Sequence, residues 1–234
     1  MKTVLITGAS RGIGLELAKR ECSAGSRVLA ACRNPERARE LQNLATAYPG
    51  QVLACPLDVE SEGSVKGLFA GLEAQGEKVD CLYNNAGIID WRTMMEVEAE
   101  SMEKIYKVNV VGAMLVIRNS LPVLRKGDGK LVVNMSSRQG SIELRGKSVL
   151  GGSIAYSASK AALNMLTKQA SIDLAGDGIC VVSITPGWVR TDMGGPEAKY
   201  SVEESVDAIL RNVAKFSLED TGKFYGEEGK EIPW

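Results

Sequence analysis

Thr7-Gly8-Ala9-Ser10-Arg11-Gly12-Ile13-Gly14 is the stretch that decides how this chain is read. It follows an apolar run, residues 3–7, and opens a helix-patterned stretch, residues 12–24. Glycines at 8, 12 and 14 permit a tight turn and let a diphosphate approach the main chain. The free N–H groups and positive dipole end of the following helix would then hold the anion, with Ser10, Arg11 and Ile13 beside it. The spacing differs from Gly-x-Gly-x-x-Gly, and no Lys-Ser/Thr follows, which excludes a Walker loop. A turn without ligand is the plainer alternative. The order of strand, glycines and helix within one crossover favours phosphate binding.

Outward from this turn, apolar runs alternate with longer helical patterns. Strands are expected at 3–7, 27–32, 52–56, 79–83, 130–135 and 179–185, with a short seventh near 222–225. Helices are expected at 12–24, 35–48, 61–75, 98–124, 156–175 and 201–216. Most strands are continuously apolar, as strands covered on both faces are. The pattern predicts one α/β domain over residues 1–234, a doubly wound Rossmann-type parallel sheet of about seven strands with helices on both faces. The long irregular stretches 87–97, 139–153 and 186–200 each follow a strand at its carboxyl end, where such sheets bind ligands.

Composition narrows the chemistry. The 234 residues carry a formal net charge of -1, which argues against a nucleic-acid binder with a broad basic surface. No apolar run approaches the roughly 20 residues of a membrane span, and Met1-Lys2 leads straight into the first strand rather than into a targeting segment. Five cysteines without Cys-x-x-Cys read as buried, reduced thiols of a cytoplasmic protein. The chain has no histidine, so proton chemistry falls to tyrosine, lysine, a carboxylate or water, and the usual zinc sites are excluded. No metal is expected.

Tyr156 and Lys160, in Tyr-Ser-Ala-Ser-Lys, lie one turn apart on one face if this segment is helical. An ammonium beside a phenol favours the phenolate. A cation about 4 Å away at an effective dielectric of about 20 supplies roughly the 4 kcal/mol needed to bring the phenol near neutrality. After the second strand comes Cys32-Arg33-Asn34, with no acid for the ribose hydroxyls of NAD. Arg33 and Arg11 converging on a 2′-phosphate would favour NADP(H); a solvated surface charge is the alternative for Arg33. Asp58 would accept from an adenine amine or cap the next helix.

With these motifs in hand, the chain resembles the short-chain dehydrogenase/reductase family. The resemblance rests on Thr7 to Gly14, Asn84-Asn85-Ala86-Gly87, Asn109 in Lys-Val-Asn-Val, Ser136-Ser137, Tyr156/Lys160 and Pro186-Gly187, in the family's order. Arg33 and the closing residues to Ile232-Pro233-Trp234 look like the carbonyl-reductase group that includes sniffer and C-factor proteins. The resemblance implies Tyr156 as proton donor, Lys160 as its partner and holder of the nicotinamide ribose, and Ser137 as hydrogen-bond donor to the substrate oxygen. It implies that Asn109 fixes a water leading from Lys160 to solvent. Asp58, Val59, Asn85, Ala86 and Gly87 would line the cofactor, and Pro186, Gly187, Val189 and Thr191 would flank the nicotinamide. Choosing Ser137 over Ser136 rests on alignment and on strand alternation. Plainer readings stand beside these: Asn109 as a buried helix residue, Pro186-Gly187 as a turn.

Ser137 and Tyr156 are nineteen positions apart, a long separation for this family, and the excess falls in 143–152, with Arg145 and Lys147. It is expected to form the pocket rim. The function implied is NADPH-dependent reduction of a small or medium aldehyde, ketone or quinone, with Ile89, Trp91, Leu144, Leu150, Trp188 and Met193 on the substrate side. The alternative is a nucleotide-binding signalling protein of the C-factor type. An epimerase or dehydratase would need a larger substrate-binding portion. The family implies a homodimer or homotetramer through the helices 98–124 and 156–175.

Overall fold

The computed structural model describes residues 1–146 and 153–234. Seven strands form one parallel sheet: β1 (Thr3–Thr7), β2 (Arg27–Cys32), β3 (Val52–Pro56), β4 (Cys81–Asn84), β5 (Leu131–Met135), β6 (Cys180–Ile184) and β7 (Phe224–Tyr225). Their spatial order is β3-β2-β1-β4-β5-β6-β7. The chain winds outward from β1 through β2 to β3, then returns to the other side of β1 with β4. The strand order therefore reverses between β1 and β4, and a crevice opens there at the carboxyl ends.

The continuous apolar runs have a direct cause. Val4 and Ile6 of β1 join one buried cluster, with Leu15, Ala18, Val206 and Ile209, while Leu5 between them joins the other, with Val65, Phe69, Val116 and Leu124. Successive side chains point to opposite faces, so a strand covered twice must be apolar at every position. One face is covered by α1 (Gly12–Ser23), α2 (Arg39–Ala47) and α8 (Val202–Val213), the other by α3 (Glu62–Ala74) and the long central helices. Helix α8 starts on a reciprocal cap between Ser201 and Glu204, which satisfies two otherwise unpaired N–H donors.

Those central helices run as α4 (Ala99–Tyr106), a π-helical stretch (Lys107–Gly112) and α5 (Ala113–Arg125), one continuous helix expected as a regular 98–124. At 27 residues it is long and apolar enough to cross a membrane, but Val116, Val123 and Leu124 are fully buried against the sheet. The short α6 (Ile142–Arg145) follows, then α7 (Ile154–Asp173). Helix α7 begins two residues before the expected start, directly after Ser153, which takes a left-handed conformation (φ 52°). Strand β4 is shifted from the expected 79–83, since Asp80 is a junction: its carboxylate accepts the N–H groups of Thr3, Asp128 and Gly129. Of the expected rim, residues 143–146 are seen as α6 and its end, while Lys147, Leu150 and the rest of 147–152 lie outside the described residues.

Candidate active site

The β1–α1 turn is built by close approach. Gly8 has φ 69°, and a Cβ there would stand 2.9 Å from Ala86 Cα; at Gly14 it would stand 2.4 Å from the Gly8 carbonyl oxygen. Neither position admits a side chain without a main-chain shift. Thr7, which the sequence reading passed over, clamps the two strand ends across the crevice. Its Oγ1 accepts the N–H groups of Asn85 and Ala86, both at 3.0 Å, and Asn85 Nδ2 donates to the carbonyls of Thr7 (2.9 Å) and Gly8 (3.3 Å). The Asn85 amide thus ties the glycine turn to β4. Its only sequence signal is a hydroxyl at the last position of a strand.

Above this clamp lies a cleft of about 500 Å³, within the range of small-molecule and cofactor sites. Gly8, Ser10, Arg11, Gly12, Ile13 and Gly14 line one end, with Arg33, Asp58 and Val59; Asn85, Ala86, Gly87 and Ile88 form the floor; Tyr156, Lys160, Pro186, Thr191 and Met193 close the other side. Asn109, Ser137, Gly187 and Val189 are not in the lining, whereas Ser136, the serine not chosen from the sequence, is. Gly187 turns with φ 80° against the Tyr200 ring, and Val189 is buried and bridged to Tyr200. Both shape the rim loop from behind. Trp188 donates its indole N–H to Gly194 O at 2.8 Å in the same loop and is 41% exposed.

At the β2 end, Arg33 is exposed and, among the described residues, has no carboxylate partner. Arg11 differs: its Nη1 pairs with Asp192 at 2.8 Å across the cleft mouth, with both side chains largely exposed. Of the two guanidiniums expected to converge, only Arg33 stands unpaired. Asp58 does not cap α3; Ser61 does, accepting from Ser64 N at 3.2 Å, while Asp58 Oδ1 accepts from Glu60 N at 3.1 Å. Its remaining oxygen is free toward the cleft.

At the β5 end the two serines separate as strand alternation requires. Ser136 is buried and its Oγ donates to Asn164 Oδ1 at 2.6 Å. Ser137 is half-buried, and its side chain lies near enough to Tyr156 to favour the ionised phenol. Ser137 Oγ accepts from Gln139 N at 3.2 Å, which leaves its hydroxyl proton to be donated elsewhere. Asn109 sits in the π-helical stretch, a feature recurrent at functional sites. Its Oδ1 accepts from Ile88 N and its Nδ2 donates to Ile88 O and Ser159 Oγ, all at 2.9 Å. It thereby fastens the loop after β4 to α7. Gly87 lies beside it, where a Cβ would come 3.6 Å from Lys160 Nζ.

Lys160 departs from expectation. Its Nζ donates to Met135 O at 2.6 Å and stands 5.5 Å from the Tyr156 ring centroid, over the ring rather than against the hydroxyl. Burial therefore governs both groups. It pushes the Tyr156 phenol up to about 12, partly offset by the nearby Ser137 side chain, and brings the Lys160 ammonium down to about 8. At neutral pH the pair is a neutral phenol over a mostly protonated amine. Such a pair can give up a proton to a developing oxyanion while a cation stands by for the phenolate left behind.

Comparisons with known proteins fit this geometry. The short chain dehydrogenase family model matches residues 2–200. The NADPH-bound carbonyl reductase from chicken fatty liver superimposes with a TM-score of 0.94 at 35% identity, covering 100% of this chain and 99% of that one. Carbonyl reductase Sniffer of D. melanogaster superimposes at 0.93, with 32% identity and full coverage of both chains. C-signal of Myxococcus xanthus is 39% identical over 157 residues, 67% of this chain and 93% of its own. A glycine turn after the first strand, a tyrosine–lysine pair on one helix face and this agreement over most of its length make the chain a member of the short-chain dehydrogenase family.

Proposed function

We propose that this protein is an NADP(H)-dependent carbonyl reductase acting on small or medium aldehydes, ketones or quinones. The observation that carries the reading is Tyr156 with buried Lys160 over its ring, in the same cleft as the glycine turn. The residues present fit the cofactor. A Cβ at Gly8 or Gly14 would collide with Ala86 or the Gly8 carbonyl and break the tight turn whose main chain a diphosphate would approach, and Arg33, with no acid at Cys32 or Asn34, suits a 2′-phosphate rather than free ribose hydroxyls. The NADPH-bound chicken carbonyl reductase supports the choice of cofactor, and with the D. melanogaster carbonyl reductase it supports the reaction.

Bound NADPH supplies the hydride. Tyr156 keeps its proton at neutral pH and delivers it to the substrate oxygen as negative charge builds there. Ser137, whose Oγ accepts from Gln139 N and keeps its own proton to give, donates to the same oxygen. Lys160, still mostly charged at pH 7, stabilises the phenolate and holds the nicotinamide ribose. Asn109 keeps the loop after β4 fixed beside Lys160 and positions the water through which the proton is resupplied. Ile89, Trp91, Leu144, Trp188 and Met193 supply apolar contact to the substrate. The five free, buried cysteines suit a reducing compartment, and we place the protein in the cytoplasm. It works as a homo-oligomer, since Tyr106, Val111, Met165 and Ile172 on the central helices are 40–68% exposed.

The test is oxidation of NADPH and of NADH against a panel of aldehydes, ketones and quinones. Turnover with NADPH preferred supports the reading; absence of turnover across the panel despite tight NADPH binding contradicts it. A second reading, a nucleotide-binding signalling protein, draws on the resemblance to C-signal and would be favoured by that second outcome.

A further inference from the structure

Beyond β7 the chain doubles back. Gly229, with φ 78°, makes the turn, Ile232 N donates to Phe224 O at 2.8 Å, and Tyr225 bridges Glu231 in antiparallel register. Asn212 of α8 braces the turn by donating to the Glu227 carbonyl at 3.3 Å. This return lays the Trp234 indole on the fully buried Phe224, with ring centroids 5.6 Å apart and planes at 16°.

The hairpin also reaches the residues just after Ser137. The main-chain oxygen of Trp234 accepts from Ile142 N at 2.6 Å and from Ser141 Oγ at 3.0 Å. The Glu227 carboxylate, only 13% exposed, accepts from Arg138 Nε at 3.0 Å. From the opposite side the same segment is held by α7. Gln139 Oε1 accepts the hydroxyls of Ser153 and Ser157, which flank Tyr156, and Asn164 Nδ2 donates to Gly140 O at 3.2 Å. Gly140 lies so close that a Cβ there would stand 2.7 Å from the Lys160 carbonyl carbon. Residues 138–142 are thus gripped between the tyrosine helix and the terminal hairpin. Ser137, which begins this segment, has no tie of its own to the hairpin.

We propose that the hairpin 225–234 is a latch for the substrate serine, with Glu227 and Trp234 as positioning residues that set Ser137 against Tyr156; this rests on the reductase reading above. Glu227 and Trp234 act through residues 138–142, which fix where the Ser137 hydroxyl points. A displacement of about 1 Å at a positioning contact costs up to about a hundredfold in rate. The glycine turn lies at the other end of the cleft and is untouched by the latch.

The experiment measures NADPH affinity by fluorescence titration, carbonyl reduction and thermal midpoint for wild type, Trp234→Ala, Trp234→Phe, Glu227→Ala and Glu227→Gln. In both alanine variants kcat falls about tenfold while NADPH affinity stays within about twofold, and Trp234→Phe, which keeps the stacking, recovers most of the rate. In a Ser137→Ala background, Trp234→Ala costs less than about twofold further, because the two changes act on one contact. Undiminished kcat in folded alanine variants, or the same tenfold loss without the serine, would overturn the latch and leave the hairpin as packing. Should the alanine variants not fold, Glu227→Gln decides: a lowered kcat at unchanged NADPH affinity supports the latch, and an unchanged kcat overturns it. A wild type that reduces no carbonyl overturns the reductase reading itself, and the latch with it.

Discussion

Lys160 is a buried amine whose charge is costly to the fold and needed by the reaction. Its pKa, lowered from 10.5 to about 8 by burial, means that the folded protein binds this proton less tightly than the unfolded chain. The penalty is fully present below about pH 8 and disappears as pH rises toward 10.5. Lys160→Met should therefore raise the unfolding free energy at pH 7 by about 1 kcal/mol, the relief of roughly 3 kcal/mol being partly offset by the stranded Met135 carbonyl. Urea unfolding at pH 7 and pH 10 checks this: the difference between variant and wild type should shrink at the higher pH. The same titration predicts that kcat/KM for reduction is level below about pH 8 and falls above it, as the ammonium beside Tyr156 is lost. A profile flat to pH 10 would mean that Lys160 stays charged or plays no part. The Tyr156–Lys160 pairing was legible from four-residue spacing, but not the Met135 carbonyl that draws the ammonium off the hydroxyl, because that contact joins residues 25 positions apart.

At the scale of elements, the proposed choice of cofactor rests on strand β2 and the residue after it. Arg33 follows the last residue of β2, exposed and with no carboxylate beside it among the described residues. Arg33→Asp should reduce the preference for NADPH over NADH by about tenfold or more, the equivalent of one charge-assisted hydrogen bond. An unchanged ratio of kcat/KM values would remove Arg33 from the 2′-phosphate. The sheet itself was readable because burial on both faces forces unbroken apolar runs such as Val4-Leu5-Ile6. The π-helical stretch around Asn109 was not, since a single extra residue per turn leaves the apolar pattern of 99–125 nearly unchanged. Nor was the Thr7 clamp, whose meaning depends on β4 lying beside β1, which only the strand order provides.

Across the whole molecule, the winding that reverses at β1 and β4 gathers the glycine turn, the loop after β4 and the tyrosine helix at one edge. The terminal hairpin then closes the far side from more than 90 positions away in the chain, a contact between Ser141 and Trp234 that no local pattern announces. The outer faces of the long helices carry exposed apolar residues among charged ones. Met165 and Ile172 are two turns apart on α7, 68% and 61% exposed. Replacing both with glutamate should shift the protein toward monomer in light scattering; an unchanged mass would move the interface elsewhere.

The central claim is that one phenol supplies the proton while the rest of the cleft holds the cofactor. Tyr156→Phe removes a single oxygen and keeps the ring over Lys160. Side-by-side measurement of NADPH affinity and carbonyl turnover should give binding within about threefold of wild type and a loss in kcat of about a thousandfold or more. Turnover at the wild-type rate in that variant would contradict the account.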